Sequence, residues 1–227
     1  MNAVWALCFV QLWAVSADVL YVQPRRRLNA ALERRSYEPG SFSFALRASM
    51  PVIVVLLLLR SFVLDVFHVP SESMVPALHP GDRIWANRIA YGLRWPLSGE
   101  PLTRAGLPRR GEIVVFLNPR DPATVFVKRV LGVSGDRVEI HDRRIVLNGH
   151  PLLQPWPTDG DGADQTVQLD GTQFVVRADF AHPAPPVHVD VVIPEGHLFV
   201  IGDNLDHSDD SRHWGLVSDR HLLGRVK

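Results

Sequence analysis

Lysine is almost missing from this sequence: of 24 Lys+Arg residues only Lys128 and Lys227 are lysine. Arginine therefore carries the ordinary surface charge, and its guanidinium keeps its proton in proteins and cannot serve as a base. A desolvated lysine amine, by contrast, can be driven neutral near physiological pH. Lys128 sits inside the apolar run Val125-Phe126-Val127-Lys128, which marks it for chemistry, whereas Lys227 stands at the chain end. Cysteine is as scarce. Cys8 is alone and cannot form an internal disulfide, and its apolar surroundings are those of a small buried side chain rather than a reactive thiol. Net charge is absent too: 24 Lys+Arg against 24 Asp+Glu argues against nucleic acid as the main partner. Ten histidines are present, yet no pair has a ligand pattern with a third partner, so no metal and no cofactor are expected. The run Asp159-Gly160-Asp161-Gly162-Ala163-Asp164 lacks the glycine and the glutamate that a calcium loop needs at its sixth and twelfth positions.

What is abundant is apolar sequence, 46% of the chain, concentrated early. Residues 1–22 carry no charge before Asp18 and are rich in Val, Leu, Ala and Trp, which predicts a first transmembrane helix. Without a positive n-region it reads as retained rather than cleaved. Residues 48–67, built on Pro51-Val52-Ile53-Val54-Val55-Leu56-Leu57-Leu58-Leu59, predict a second span, although Arg60 and Asp65 interrupt its far half. The loop 23–47 between them holds Arg25, Arg26, Arg27, Arg34, Arg35 and Arg47 against Glu33 and Glu38, which places it in the cytoplasm by the positive-inside rule. Everything after the second span then lies on the far side of the membrane.

Residues 68–227 read as short strands joined by turns, with no long helical period. The runs Arg83 to Ala86, Glu112 to Leu117, Thr124 to Val133, Arg137 to His141, Arg144 to Leu147, Thr172 to Arg177, His188 to Ile193 and His197 to Ile201 are β-rich, and Asn148-Gly149 is a hairpin turn signal. The expected architecture is two N-terminal transmembrane helices followed by a mainly antiparallel β domain. A Pro/Gly/Asp-rich insertion near 151–186 is expected to be its least ordered stretch. Upstream of Lys128, Pro70-Ser71-Glu72-Ser73-Met74-Val75-Pro76 places two hydroxyls two residues apart beside prolines that stiffen the backbone, and a serine with a buried lysine is a known nucleophile and base pair.

Three ordered constellations carry a resemblance. Ser71-x-Ser73-Met74-x-Pro76 comes first, then Val127-Lys128-Arg129-Val130-x-Gly132-x-x-Gly135-Asp136. Gly202-Asp203-Asn204 through Asp210-Ser211-Arg212-x-Trp214-Gly215 comes last, and Pro108-Arg109-Arg110-Gly111-Glu112-Ile113-Val114-Val115-Phe116 matches a further box. In this order behind two spans, the chain resembles bacterial type I signal peptidases, also called leader peptidases, from about Arg60 to Gly224. The resemblance implies Ser73 as nucleophile and Lys128 as general base. Ser71 would join the Ser73 N–H in an oxyanion hole, Ser208 would hydrogen-bond the Lys128 amine, and Asp210 with Arg212 would form a supporting ion pair. Phe67, Val69 and Pro70 on one side and Val125, Phe126 and Val127 on the other resemble the strands that flank an extended peptide, bound by strand addition.

The implied activity is that of a membrane-bound serine endopeptidase. It would remove signal peptides from exported preproteins after small residues, multi-pass in the bacterial inner membrane beside lipid. Desolvation would lower the Lys128 pKa, so Asp210 is expected to face Arg212 rather than the amine. Departures are present: Glu72 and Ala77 stand where the family usually has glycine and threonine, and Leu205 and His207 where arginine and asparagine are common. Two rival readings remain, a dedicated Ser-Lys processing peptidase of a pilus or conjugation system and a non-catalytic membrane-anchored β-domain that binds exported chains.

Overall fold

A computed structural model describes residues 13, 15–16, 18–32, 48–53, 55, 64–92, 102–103, 106–157 and 160–226. The chain divides into two compact units, Met1–Arg60 and Ser61–Lys227. In the first, a short π-helix, Asp18–Val22, leads into an α-helix, Gln23–Leu32, and residues 48–53 are helical. Gln23 Nε2 donates to Asp18 Oδ2 at 3.1 Å across their junction. The Gln23–Leu32 helix carries Arg25, Arg26 and Arg27, all exposed, as its low apolar content requires. Among the described residues no helix is long and apolar enough to cross a membrane. Of the two expected spans, most of 1–22 and residues 54 and 56–63 of 48–67 lie outside the described residues.

One boundary needs correction. The second expected span extends to Phe67, but Leu64–His68 is a strand, β1. It pairs antiparallel with β2 (Arg83–Asn87), Phe67 opposite Ile84 and Asp65 opposite Ala86. Asp65, the charge that interrupts the apolar run, accepts a hydrogen bond from Arg88 at 3.2 Å. Leu64 to Phe67 thus find their backbone partners in a neighbouring strand rather than in the helical i to i−4 ladder.

The second unit is built on a seven-stranded antiparallel sheet. Beyond β1 and β2, its chain-order elements are β3 (Ile113–Leu117), β4 (Val125–Gly132), β5 (Arg137–His141), β6 (Arg144–Leu147), β7 (His150–Pro151), β8 (Gly162–Leu169), β9 (Thr172–Asp179), β10 (His188–Val192), β11 (His197–Ile201), β12 (Val217–Ser218) and β13 (Leu222–Val226). The large sheet runs β1-β2-β13-β3-β4-β11-β12, a second runs β10-β5-β6-β7, and β8 with β9 makes a hairpin. Every strand pair is antiparallel. Asn148-Gly149 turns β6 into β7 with φ of 51° and 79°, the left-handed pair that this dipeptide supplies. Residues 151–186, expected to be the least ordered stretch of the domain, contain the β8–β9 hairpin. Asp170-Gly171 forms its turn, and Val167, Leu169, Phe174 and Val176 point into the core. The alternation of those apolar residues outweighs the Pro/Gly content around them.

Three packed clusters hold the unit together. One joins the β5–β6 sheet, the hairpin and β11 through residues such as Leu131, Ile140, Phe174, Phe199 and Leu205. Another fills the other face of the large sheet with Val114, Phe116, Val130, Val200 and Leu222. The third, Val69, Ile84, Ala86 and Val115, lies under the turn that follows β1. Burying each of the larger side chains stabilises the fold by about 1.5–3 kcal/mol. The consequence for function is a rigid β4, clamped by β3 on one edge and β11 on the other.

Candidate active site

The turn from β1 to β2 carries the two serines. Its base is closed by Val69 N–H to Asp82 O at 3.0 Å and Gly81 N–H to Val69 O at 2.9 Å. Within it Val75 N–H bonds Glu72 O and Leu78 N–H bonds Met74 O. Met74, 1% exposed, anchors the turn in the interior, which leaves Ser73 buried at 6% and its hydroxyl turned toward β4. Ser71 Oγ stands 3.2 Å from Ser73 Oγ.

Lys128 lies mid-way along β4, opposite Val114 of β3, and is 4% exposed. Its Nζ is 2.5 Å from Ser73 Oγ and 5.7 Å from the centre of the Phe126 ring. Burial takes the amine pKa from 10.5 down to about 8; Asp210 and Asp209 pull it back up, while the charge of Arg212 pushes it down. Desolvation wins because removing the ammonium from water costs more than these partly neutralised carboxylates return.

Asp210 does not face the amine. It is fully buried, and its carboxylate accepts from Arg212 Nε at 2.8 Å and Nη2 at 2.8 Å, Gly202 N–H at 2.9 Å and Ser208 Oγ at 2.7 Å. Burial pushes its pKa up, but Arg212 and these donors outweigh burial and leave it lowered. The expected bond from Ser208 to the Lys128 amine needs correction: the Ser208 hydroxyl donates to Asp210, and among the described residues no hydrogen bond joins it to Lys128. The carboxylate two residues away is the stronger acceptor, and it claims the proton. Gly202 explains how these groups fit so closely. A Cβ there would lie inside contact distance of Ser208 Oγ and the Ser73 carbonyl oxygen.

Sequence reasoning missed a second buried ion pair. Arg129, next to Lys128 and on the opposite face of β4, makes a two-pronged contact with Asp203, Nε to Oδ1 at 2.7 Å and Nη2 to Oδ2 at 2.6 Å. Its third donor reaches Gly111 O at 2.7 Å, and Phe174 covers its guanidinium at 4.3 Å. The available signal was strand alternation: an arginine beside a core-facing residue in an apolar strand must also be buried, and a buried guanidinium requires a carboxylate.

All six residues expected to hold substrate, Phe67, Val69, Pro70, Val125, Phe126 and Val127, line one cleft of about 350 Å³ together with Ser73 and Lys128. A second cleft, about 800 Å³, lies beside the same turn and is bordered by Glu72, Val75, Asn204 and the β8–β9 hairpin. His207 borders both. A serine hydroxyl against a buried amine, with further donors around them in an open groove, is an arrangement suited to acyl transfer on an extended chain.

Comparison with known proteins identifies the family. The sequence model of the family described as signal peptidase, peptidase S26, matches residues 43–227. The chain is similar to signal peptidase I of Pseudomonas fluorescens and of Pseudomonas aeruginosa. Each is 32% identical over 238 residues, a match covering 92% of this chain and 84% of the relative. It is also similar to a probable signal peptidase I-1 of Synechocystis, 29% identical over 184 residues, covering 78% of this chain and 76% of that one.

Proposed function

The chain belongs to the signal peptidase family, peptidase S26, and is an enzyme of the type I signal peptidase kind; from that premise we propose that it cleaves signal peptides from exported preproteins by a Ser73 nucleophile with Lys128 as general base. The observation that carries this reading is the 2.5 Å approach of the buried Lys128 amine to the Ser73 hydroxyl. The neutral amine takes the Ser73 proton as Oγ attacks the scissile carbonyl, then returns it to the departing amine. Water, deprotonated by the same amine, hydrolyses the acyl-enzyme. The Ser73 N–H, which has no acceptor among the described residues, and the Ser71 hydroxyl stabilise the oxyanion. Asp210 and Arg212 brace the 202–212 loop from within, Asn204 ties that loop to the turn, and Ser208 acts through Asp210.

Phe67, Val69 and Pro70 with Val125, Phe126 and Val127 flank the extended residues before the bond, and the modest apolar cleft favours small side chains there. Residues 1–22 and the apolar run that starts at 48 and ends before β1 anchor the enzyme in the bacterial inner membrane with 23–47 in the cytoplasm. Their hydropathy and the arginine bias support this, and alkaline extraction that released the full chain from membranes would remove it. The test of the chemistry is preprotein cleavage by purified protein in detergent. Ser73→Ala and Lys128→Ala should each lose several orders of magnitude while staying folded, and near-normal activity in either overturns the assignment.

A further inference from the structure

The second cleft has no part in the chemistry above, yet it touches the catalytic turn from the other side. Glu72 and Val75, the residues around Ser73 and Met74, border it, and His207 joins it to the substrate cleft. A chain cut by Ser73 must continue past the nucleophile, and the two clefts differ as the two sides of a signal peptide junction differ. The first is mostly apolar; the second carries four carboxylates, Glu72, Asp161, Asp164 and Asp179, against one guanidinium, Arg177.

Those carboxylates are unequally compensated. Asp164 is held by Arg177 at 2.7 and 2.8 Å. Asp179 accepts from His207 at 2.9 Å, from His182 at 3.3 Å and from the N–H groups of Ala181 and His182. Glu72 and Asp161 have no ion-pair partner among the described residues, so the cleft carries uncompensated negative charge beside the scissile position. A separate observation ties the cleft to the serine turn. Asn204, 4% exposed, borders this cleft; its Nδ2 donates to Glu72 O at 3.3 Å and its N–H to Ser73 O at 3.1 Å, but its Oδ1 has no partner. Through these two bonds Asn204 couples the cleft to the main chain of the serine turn.

We propose that this cleft receives the first residues of the mature protein, immediately after the cleavage site. Glu72 and Asp161 select a basic side chain there. The subsite rests on the signal peptidase reading and deepens it. Glu72 then has a use: it stands where the family usually has glycine, and it supplies a charge that a glycine cannot.

The test uses purified full-length protein in detergent and three peptides identical up to an alanine-type cleavage site, followed by Lys, Ala or Asp at the early downstream positions. At low salt the wild type should cleave the Lys peptide roughly five- to tenfold faster in kcat/KM than the Asp peptide, the size of two partly screened charge pairs. Glu72→Gln and Asp161→Asn should each shrink that ratio. The double variant should bring it below about twofold, with the Ala peptide as reference within each protein. A wild-type ratio near one, or a ratio that survives in the double variant, overturns the subsite. If the Ala peptide is not cut at all, or is cut equally by Ser73→Ala, the peptidase reading fails and the subsite falls with it.

Discussion

The pH dependence of cleavage follows directly from the position of Lys128. Burial brings the amine from 10.5 to about 8, so at pH 7 about one-tenth of the molecules carry a neutral base, against about 0.03% for an ordinary lysine. kcat/KM should therefore rise about tenfold per pH unit below 8 and level off above about pH 9. A second perturbation tests the cause. Asp209 is exposed, borders the substrate cleft and holds the Lys128 pKa up through its charge. Asp209→Asn should move the acid limb to lower pH and raise the rate at pH 6.5 roughly two- to fivefold, the size of one screened surface pair, while leaving the plateau alone. The assay is initial-rate cleavage of a preprotein peptide from pH 6 to 10 at fixed ionic strength. A flat profile, an inflection near 10.5, or an acid limb moved upward by Asp209→Asn would refute the reasoning. The same shift has a stability counterpart with a defined sign. Between about pH 8 and 10.5 the unfolded chain binds the proton that the folded chain releases, so folding stability rises with pH through that window and the burial cost is fully present below it. Lys128→Met should accordingly be more stable than wild type at pH 7, by up to about 3 kcal/mol.

Two further outcomes follow from packing. Gly202→Ala should abolish most cleavage while leaving Tm within a few degrees. Its Cβ has no room between the Ser73 carbonyl and Ser208, and the loop must separate from the nucleophile turn; retained activity would show that the close fit is not needed. Asp203→Ala strands the buried Arg129 charge and should cost roughly 3–5 kcal/mol in chemical unfolding. An unchanged midpoint would mean that the guanidinium finds another route to neutralisation.

Much of the β domain could be read along the chain because strands advertise themselves by local alternation and turn residues. Seven of the runs named from sequence coincide with β2, β3, β4, β5, β6, β10 and β11 to within one or two residues at each end, and Thr172 to Arg177 is most of β9. β8 escaped because Gly162-Ala163-Asp164-Gln165 has little strand propensity of its own and is held by pairing with β9. β1 escaped because an apolar run with one interrupting charge reads equally well as the end of a span. β13, five residues near the chain end, owes its place between β2 and β3 to partners far away in sequence.

The sequence by itself determined which groups could act. A lone internal lysine in an apolar strand and a proline-flanked pair of serines are chemical facts that need no coordinates, because burial of an amine follows from the residues around it. Only the tertiary structure decided who touches whom. It sent the Ser208 proton to Asp210, paired Arg129 with Asp203, and opened an acidic cleft behind Glu72. Each of these outcomes is a competition among acceptors brought together from distant segments, and the winner depends on distances of a few ångströms that no local pattern encodes.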